Sequence, residues 1–105
     1  MSYRKDPDEV LDYQVDWTPV LTASTPAETI TTPTFVPVVG VTVTDLGVLL
    51  NQTYVDEGTT YTGRTVHRAR VAGGTHNVTY RLTSRIVTST GQTHERTLPV
   101  AVITR

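Results

Sequence analysis

The chain has 105 residues and no cysteine, and nine basic and ten acidic residues give it a net charge of −1. This length holds one domain with one core, and the lack of cysteine excludes disulfides, thiolate metal sites and cysteine-based catalysis. Thr and Val together supply 38 residues while good helix formers are scarce, which favours β structure. The longest apolar run, 35–39, is short and contains a proline, so we expect a soluble protein with no membrane partner.

The first predicted strand spans residues 11–17, where the odd positions are apolar or aromatic and the even ones polar. This period of two is typical of a strand with one buried face. Residues 30–38 resume an extended pattern. Pro33 and Pro37 within it predict an edge strand, because proline cannot donate a ladder hydrogen bond. A third short strand is predicted at 41–44.

The middle of the chain has a weaker pattern. Between residues 45 and 63 we predict only apolar clusters and a turn at 56–58. Residues 64–71 predict a strand that carries His67 on one side and three arginines on the other, and that ends at Gly73.

The C-terminal hairpin is the most strongly determined element. A three-residue loop at 89–91, whose glycine takes the left-handed conformation, pairs residues whose numbers sum to 180. In that register Leu82 lies opposite Leu98, and Arg85 lies opposite Glu95. Apolar residues then meet apolar ones and opposite charges meet.

Six or seven short antiparallel strands without a long amphipathic helix predict an all-β fold, an immunoglobulin-like β-sandwich. A small barrel is the alternative. We assign residues 1–9 to an extended N-terminal arm and residues 10–105 to a single β-sandwich domain.

No motif predicts catalysis. Asp12 and Asp16 would lie about 13 Å apart on one strand face, too far for a glycosidase pair. His67, His76 and His94 lack the spacing of a local metal site, and the serines lie in no nucleophile motif. We therefore expect no enzymatic activity, no cofactor and no metal.

Charge is unevenly distributed along the chain: residues 1–62 carry a net charge of −7 and residues 63–105 carry +6. Two interpretations remain open. The halves neutralise one another within one molecule, or a basic face of one copy meets an acidic face of the next in a head-to-tail ring. The pI of 6.2 and the single lysine disfavour a nucleic-acid partner.

Three segments carry a more specific signal: KDPDEVLDYQVDW at 5–17, AGGT at 72–75 and YRLTSRIVTSTGQTHER at 80–96. Together they resemble a family of small tailed-phage virion proteins, the fiber-tail adaptors. The resemblance implies a non-enzymatic structural protein of the tail or neck, present in several copies and with an immunoglobulin-like fold. It would join tail and fiber or neighbouring components of the virion.

We therefore expect contacts with other virion proteins, and we expect residues 1–10 to lie against another chain. A decoration or host-surface binding module on the virion is the alternative, with Tyr54 and Tyr61 as its aromatic platform. The predicted partner-binding residues are Tyr3, Arg4, Lys5, Asp6, Asp8, Glu9, Asp12, Asp16, Arg64, Arg68 and Arg70.

Overall fold

The computed structural model of the chain describes residues 3–23 and 26–103, with side chains from residue 5 onward. Over these residues the chain is almost entirely β, so the predicted all-β class is confirmed. The elements are β1 (Tyr3–Lys5), β2 (Val10–Asp16), α1 (Thr18–Leu21), β3 (Ile30–Phe35), β4 (Val41–Asp56), β5 (Thr59–Gly73), β6 (Val78–Thr88) and β7 (Thr93–Val102).

The strands form two sheets, a four-stranded sheet in the order β1-β7-β6-β3 and a three-stranded sheet in the order β2-β5-β4. Their inner faces pack against each other as a sandwich. Tyr13 and Ala69 from the smaller sheet share one buried cluster with Phe35, Leu82 and Val100 from the larger sheet. Burying these apolar side chains between the sheets is the main stabilising contribution of the fold.

A second buried cluster surrounds Trp17, which directly follows β2 and packs with Val15, Leu21 and Ile86. Pro19 lies in the first turn of α1, where its fixed φ suits a helix start. Within this single helical turn, Leu21 N donates to Trp17 O at 3.0 Å. The predicted alternation of residues 11–17 is confirmed, because Tyr13, Val15 and Trp17 are all buried.

The C-terminal hairpin has the predicted register. Leu82 pairs with Leu98, and Arg85 pairs with Glu95. The backbone N–H of Thr88 donates to the carbonyl oxygen of Gln92 at 2.8 Å, which closes the three-residue loop, and Gly91 has a φ of 86°.

β4 and β5 form a hairpin that is much longer than the short strands predicted at 41–44 and 64–71. Its tip is a tight turn in which Glu57 and Gly58 both have positive φ, 50° and 80°, as a two-residue hairpin turn of the primed type requires. The register shifts between Asp45 and Gly47 and twice more before Tyr54. Each shift moves side chains to the other face, so the simple alternation is lost in the sequence.

The N-terminal segment is extended, but it pairs with the chain's own last strand. β1 lies parallel to β7, whereas all strands were expected to be antiparallel. Lys5 is fully buried, and Ile103 N donates to Lys5 O at 2.8 Å. Residues 3–5 therefore belong to the same sandwich as the strands from Val10 onward, and the boundary predicted at residue 9 does not separate them from it.

Candidate interaction surface

The outer face of β2 and β5 carries paired polar side chains, which we call the polar ladder. Asp12 lies opposite Arg70, and its Oδ1 accepts a hydrogen bond from Arg70 Nε at 2.8 Å. One step along, Gln14 Oε1 accepts from Arg68 Nη2 at 2.8 Å. The alternation of strand side chains brings these residues to one face. The polar ladder consists of Asp12, Gln14, Asp16, Arg64, Arg68 and Arg70.

Asp16 is the most heavily bonded member of the polar ladder. Its Oδ2 accepts hydrogen bonds from Arg64 Nε and from the Tyr54 hydroxyl, both at 2.6 Å. Its Oδ1 accepts from the backbone N–H of Thr18 at 3.0 Å. Asp16 thereby joins the end of β2, the start of α1 and the β4–β5 hairpin.

These contacts change the ionisation of the groups involved. Burial opposes ionisation of Asp16, but the hydrogen bonds from Tyr54, Arg64 and Thr18 outweigh it and lower the pKa of its carboxyl group. Burial and the bond to the Asp16 carboxylate raise the pKa of Tyr54 to about 12. At Asp12, the bond from Arg70 lowers the pKa of the exposed carboxyl group.

Tyr54 and Tyr61, the candidate aromatic platform, face each other on the hairpin. Their rings stack with centroids 5.1 Å apart, and the Arg64 guanidinium lies 5.1 Å from the Tyr61 ring centroid. Each ring therefore covers part of the other, and the hydroxyl group of Tyr54 is bonded to Asp16. This arrangement gives little support to a flat platform for a glycan.

Five of the predicted partner-binding residues thus meet within the polar ladder, namely Asp12, Asp16, Arg64, Arg68 and Arg70. Here the acidic N-terminal half and the basic C-terminal half interleave, and opposite charges pair within one molecule. This supports the first of the two interpretations of the charge distribution. Whether these residues also bind a partner stays a prediction.

The predicted N-terminal contact residues differ from one another in burial. Lys5 Nζ is directed into the protein and donates to Gly73 O at 2.7 Å and to Asp6 O at 2.8 Å. Asp6 N donates to Glu9 Oε1 at 2.8 Å, and Asp8 is exposed. Lys5 therefore holds the N-terminal segment to its own domain. The side chains of Tyr3 and Arg4 lie outside the described part.

A chain of polar groups, which sequence reasoning missed, runs from the exposed Asp45 into the core. His67 Nε2 lies 2.9 Å from Asp45 Oδ1, and His67 Nδ1 lies 2.7 Å from Ser84 Oγ. Trp17 Nε1 donates to the same Ser84 oxygen at 3.0 Å. Because the carboxylate only accepts, Nε2 carries the proton and Nδ1 accepts the serine O–H. Burial lowers the pKa of His67, against the opposing effect of Asp45.

The order Asp45–His67–Ser84 resembles that of a catalytic triad, but Ser84 has no exposed surface and its oxygen also bonds to Trp17. A substrate therefore has no access to this oxygen in the folded state, and the arrangement fits a structural link between the sheets. The sequence signal was limited to His67 lying on the apolar side of its strand.

Two further properties concern the described ranges, 3–23 and 26–103. Within them, no three His, Asp or Glu side chains cluster in a way that could hold a metal ion. No helix there has the length and apolar character to cross a bilayer.

Comparison with known proteins identifies a family. A family model described as podophage GP4 fiber-tail adaptor protein gp77 matches residues 5–101. No curated protein and no solved structure matches the chain significantly. The family match runs from Lys5, the last residue of β1, to Ala101 in β7, and it therefore covers the polar ladder and the polar groups that cross the core.

Proposed function

Because the chain belongs to the podophage GP4 fiber-tail adaptor protein gp77 family, we propose that it is a non-enzymatic structural protein of the phage tail. In this role it joins tail and fiber through protein–protein contacts and resides in the virion. The observation that carries the proposal is the family match over residues 5–101. The burial of Ser84 supports the non-enzymatic part.

We also infer that the sandwich is immunoglobulin-like. The orders β2-β5-β4 and β7-β6-β3 correspond to strands B-E-D and G-F-C of that fold. Tyr80, near the start of β6, accepts a hydrogen bond from Thr75 N at 3.0 Å. A tyrosine bonded to the backbone a few residues upstream at this corner is typical of immunoglobulin-like sandwiches, so topology and local contact support the same inference.

Assembly in several copies, as a head-to-tail ring, is a further part of the proposal. Asp56 and Glu57 are exposed at the tip of the β4–β5 hairpin, and Arg81 and Arg85 are exposed on β6. The two tip acids therefore belong to the smaller sheet and the two arginines to the larger sheet, a separation that suits contact between neighbouring copies. Charge reversal of both tip acids is expected to reduce the mass of the assembly measured by native mass spectrometry.

The N-terminal segment supplies a second proposed contact. Asp8 is exposed beside Lys5, which is held inside the domain. Asp8 can therefore meet a neighbour without loss of the buried lysine contacts. In this proposal the neighbour is another virion protein, not nucleic acid or membrane.

Deletion of the gene from a phage tests the adaptor function. The expected particles contain heads and tails but lack attached fibers, and the full chain supplied from a plasmid restores the fibers. Electron microscopy of purified particles counts the fibers, and mass spectrometry detects the chain. Particles that carry the normal number of fibers without this chain would contradict the proposal.

A further inference from the structure

We propose that the free edge of β7, residues 93–98, binds an extended segment of a neighbouring virion protein as an additional β-strand, with an acidic side chain of that segment facing Arg96. This proposal rests on the structural function proposed above and gives it a specific contact surface.

The first support is the incomplete pairing of β7. On one side β6 pairs with β7 along its length, from Thr93 to Val102. On the other side β1 pairs only with Val100, Ala101 and Val102. In the part of the chain that the structure describes, no strand lies beside residues 93–98 on that side. This edge has room for a strand of about six residues, roughly 20 Å long.

The direction of the backbone groups follows from the hairpin. Thr88 N donates to Gln92 O, and hydrogen-bonded pairs recur at every second residue of an antiparallel ladder. The even-numbered residues of β7 therefore bond to β6. The N–H and C=O groups of Thr93, Glu95 and Thr97 point away from β6, towards the free edge. The odd-numbered Ile103 fits this alternation, because its N–H donates to Lys5 O on the side of β1.

The other side of the sandwich is protected against strand addition, whereas residues 93–98 of β7 are not, and Pro99 marks the end of this open segment. β3, the edge strand that Pro33 and Pro37 predict, contains Pro33 and a register shift after Ile30. The edge strand β4 contains three register shifts. Prolines and bulges of this kind block edge-to-edge pairing. The β6–β7 register has no shift, and residues 93–98 contain no proline.

A cleft beside the β7 edge provides space for side chains. It has a volume of about 460 Å³ and lies between β2, the inward side chains Arg96 and Leu98 of β7, and the hairpin tip at Tyr54–Asp56. Every second side chain of an added strand would enter this cleft. Because β2 and the hairpin tip flank it, the cleft suits a single extended segment better than the edge of a second folded sandwich.

The charges of the cleft indicate what the segment carries. Arg96 is exposed, its guanidinium lies 5.7 Å from the Trp17 ring centroid, and it has no ion pair within the described ranges. On the opposite wall, Asp12 and Asp16 already bond to Arg70 and Arg64. The third carboxylate of the lining, Asp56, is exposed at the hairpin tip. An acidic residue opposite Arg96 and an apolar residue opposite Leu98 would complement this cleft. We expect these two residues to be separated by one position.

Proline substitution at Thr97 tests the edge directly. Thr97→Pro removes an N–H that points to the free edge and leaves the bonds to β6 intact, while Thr97→Ala keeps the N–H and serves as the matched control. Each full-length variant is supplied to a phage that lacks the gene, and the amount in purified particles is measured by mass spectrometry. We expect at least tenfold less Thr97→Pro than Thr97→Ala, with Arg96→Glu also reduced and Arg96→Lys retained. Entry of folded Thr97→Pro at the wild-type level would overturn the proposal.

Hydrogen exchange on the wild-type chain gives a second readout that needs no variant. The amides of Thr93, Glu95 and Thr97 are expected to exchange at least tenfold more slowly in purified particles than in the free chain. Fast exchange at these amides in particles that contain the chain would refute strand addition but not the structural function. Absence of the chain from particles would refute the structural function as well. If these amides exchange more slowly in the free chain as its concentration increases, the occupant of the edge is a second copy of the chain. This result would also overturn the proposal.

Discussion

Ser84 Oγ lies 2.7 Å from His67 Nδ1, so a hydrogen bond connects β6 of one sheet with β5 of the other through the core. Ser84 also accepts from Trp17 Nε1. One hydroxyl group therefore satisfies a buried donor and a buried acceptor, and its loss leaves both without a partner.

Replacement of this hydroxyl group should destabilise the fold. We expect Ser84→Ala to lower the free energy of unfolding by about 1–3 kcal/mol. Thr83→Ala is the control, because it removes only the exposed bond between Thr83 and Thr97, and it should change stability by about 0.5 kcal/mol or less. Urea unfolding followed by the fluorescence of Trp17, the only tryptophan, measures both. Equal losses in the two variants would show that the buried bonds contribute little.

His67 makes stability depend on pH. Burial lowers its pKa below the ordinary value of 6.5, so below that pH the unfolded chain binds more protons than the folded one. Stability therefore falls as the pH decreases through this range. The pKa values of Asp12 and Asp16 are lowered from 3.8, so these groups also reduce stability as the pH decreases, but only at lower pH.

The matched experiment compares wild type with His67→Gln by urea unfolding at pH 7 and pH 5. The wild type should lose stability between these two values, whereas the variant should lose clearly less because it has no imidazole at this position. The same loss in both proteins would assign the pH dependence to other groups.

The sequence predicts best where packing and turn chemistry agree. The register from Leu82 and Leu98 to Arg85 and Glu95 was predictable, because a single loop length pairs all these residues consistently and Gly91 supplies the left-handed turn. The alternation that ends at Trp17 was also predictable, because a strand with one buried face shows a period of two in its apolar residues.

Other features depend on contacts distant in the chain. The bulge at Asp45 breaks the local alternation, and only the folded hairpin brings this carboxylate to His67. The hydrogen bond between His67 and Ser84 then links the two sheets. The pairing of β1 beside Val100 involves residues almost a chain length apart, and three residues are too few to give a strand pattern. The polar ladder lies between these cases: its residues were identified, but their pairing needed the register of β2 and β5.

Removal of the Asp16 charge should change the titration of Tyr54. Asp16→Asn removes the carboxylate that helps to raise the Tyr54 pKa, so this pKa should fall from about 12 towards, but not to, the ordinary value of 10.0, because burial persists. Asp12→Asn is the control and should leave Tyr54 unchanged. Ultraviolet difference spectra during alkaline titration follow the tyrosinate. An unchanged curve for Asp16→Asn would mean that burial alone raises the Tyr54 pKa.

The N-terminal strand should stabilise the domain that it covers. Deletion of residues 1–9 removes β1 and the buried Lys5, whose Nζ bonds to Gly73 O, and leaves the edge of β7 open at Val100–Val102. We expect a lower unfolding temperature than for deletion of residues 1–2, which retains both. If the two deletions unfold at the same temperature, the contacts of β1 do not contribute to stability.

Two glycines allow backbone strain to be distinguished from steric conflict. A Cβ at Gly74, where φ is 106°, would lie 2.7 Å from Val102 Cγ2, whereas a Cβ at Gly63, where φ is 61°, would meet nothing within 4 Å. Gly63→Ala should cost only the left-handed backbone, about 1–2 kcal/mol. Gly74→Ala should cost about 1–3 kcal/mol more, because it also overpacks the core beside Val102. Urea unfolding measures both variants, and similar losses would mean that Val102 moves aside without cost.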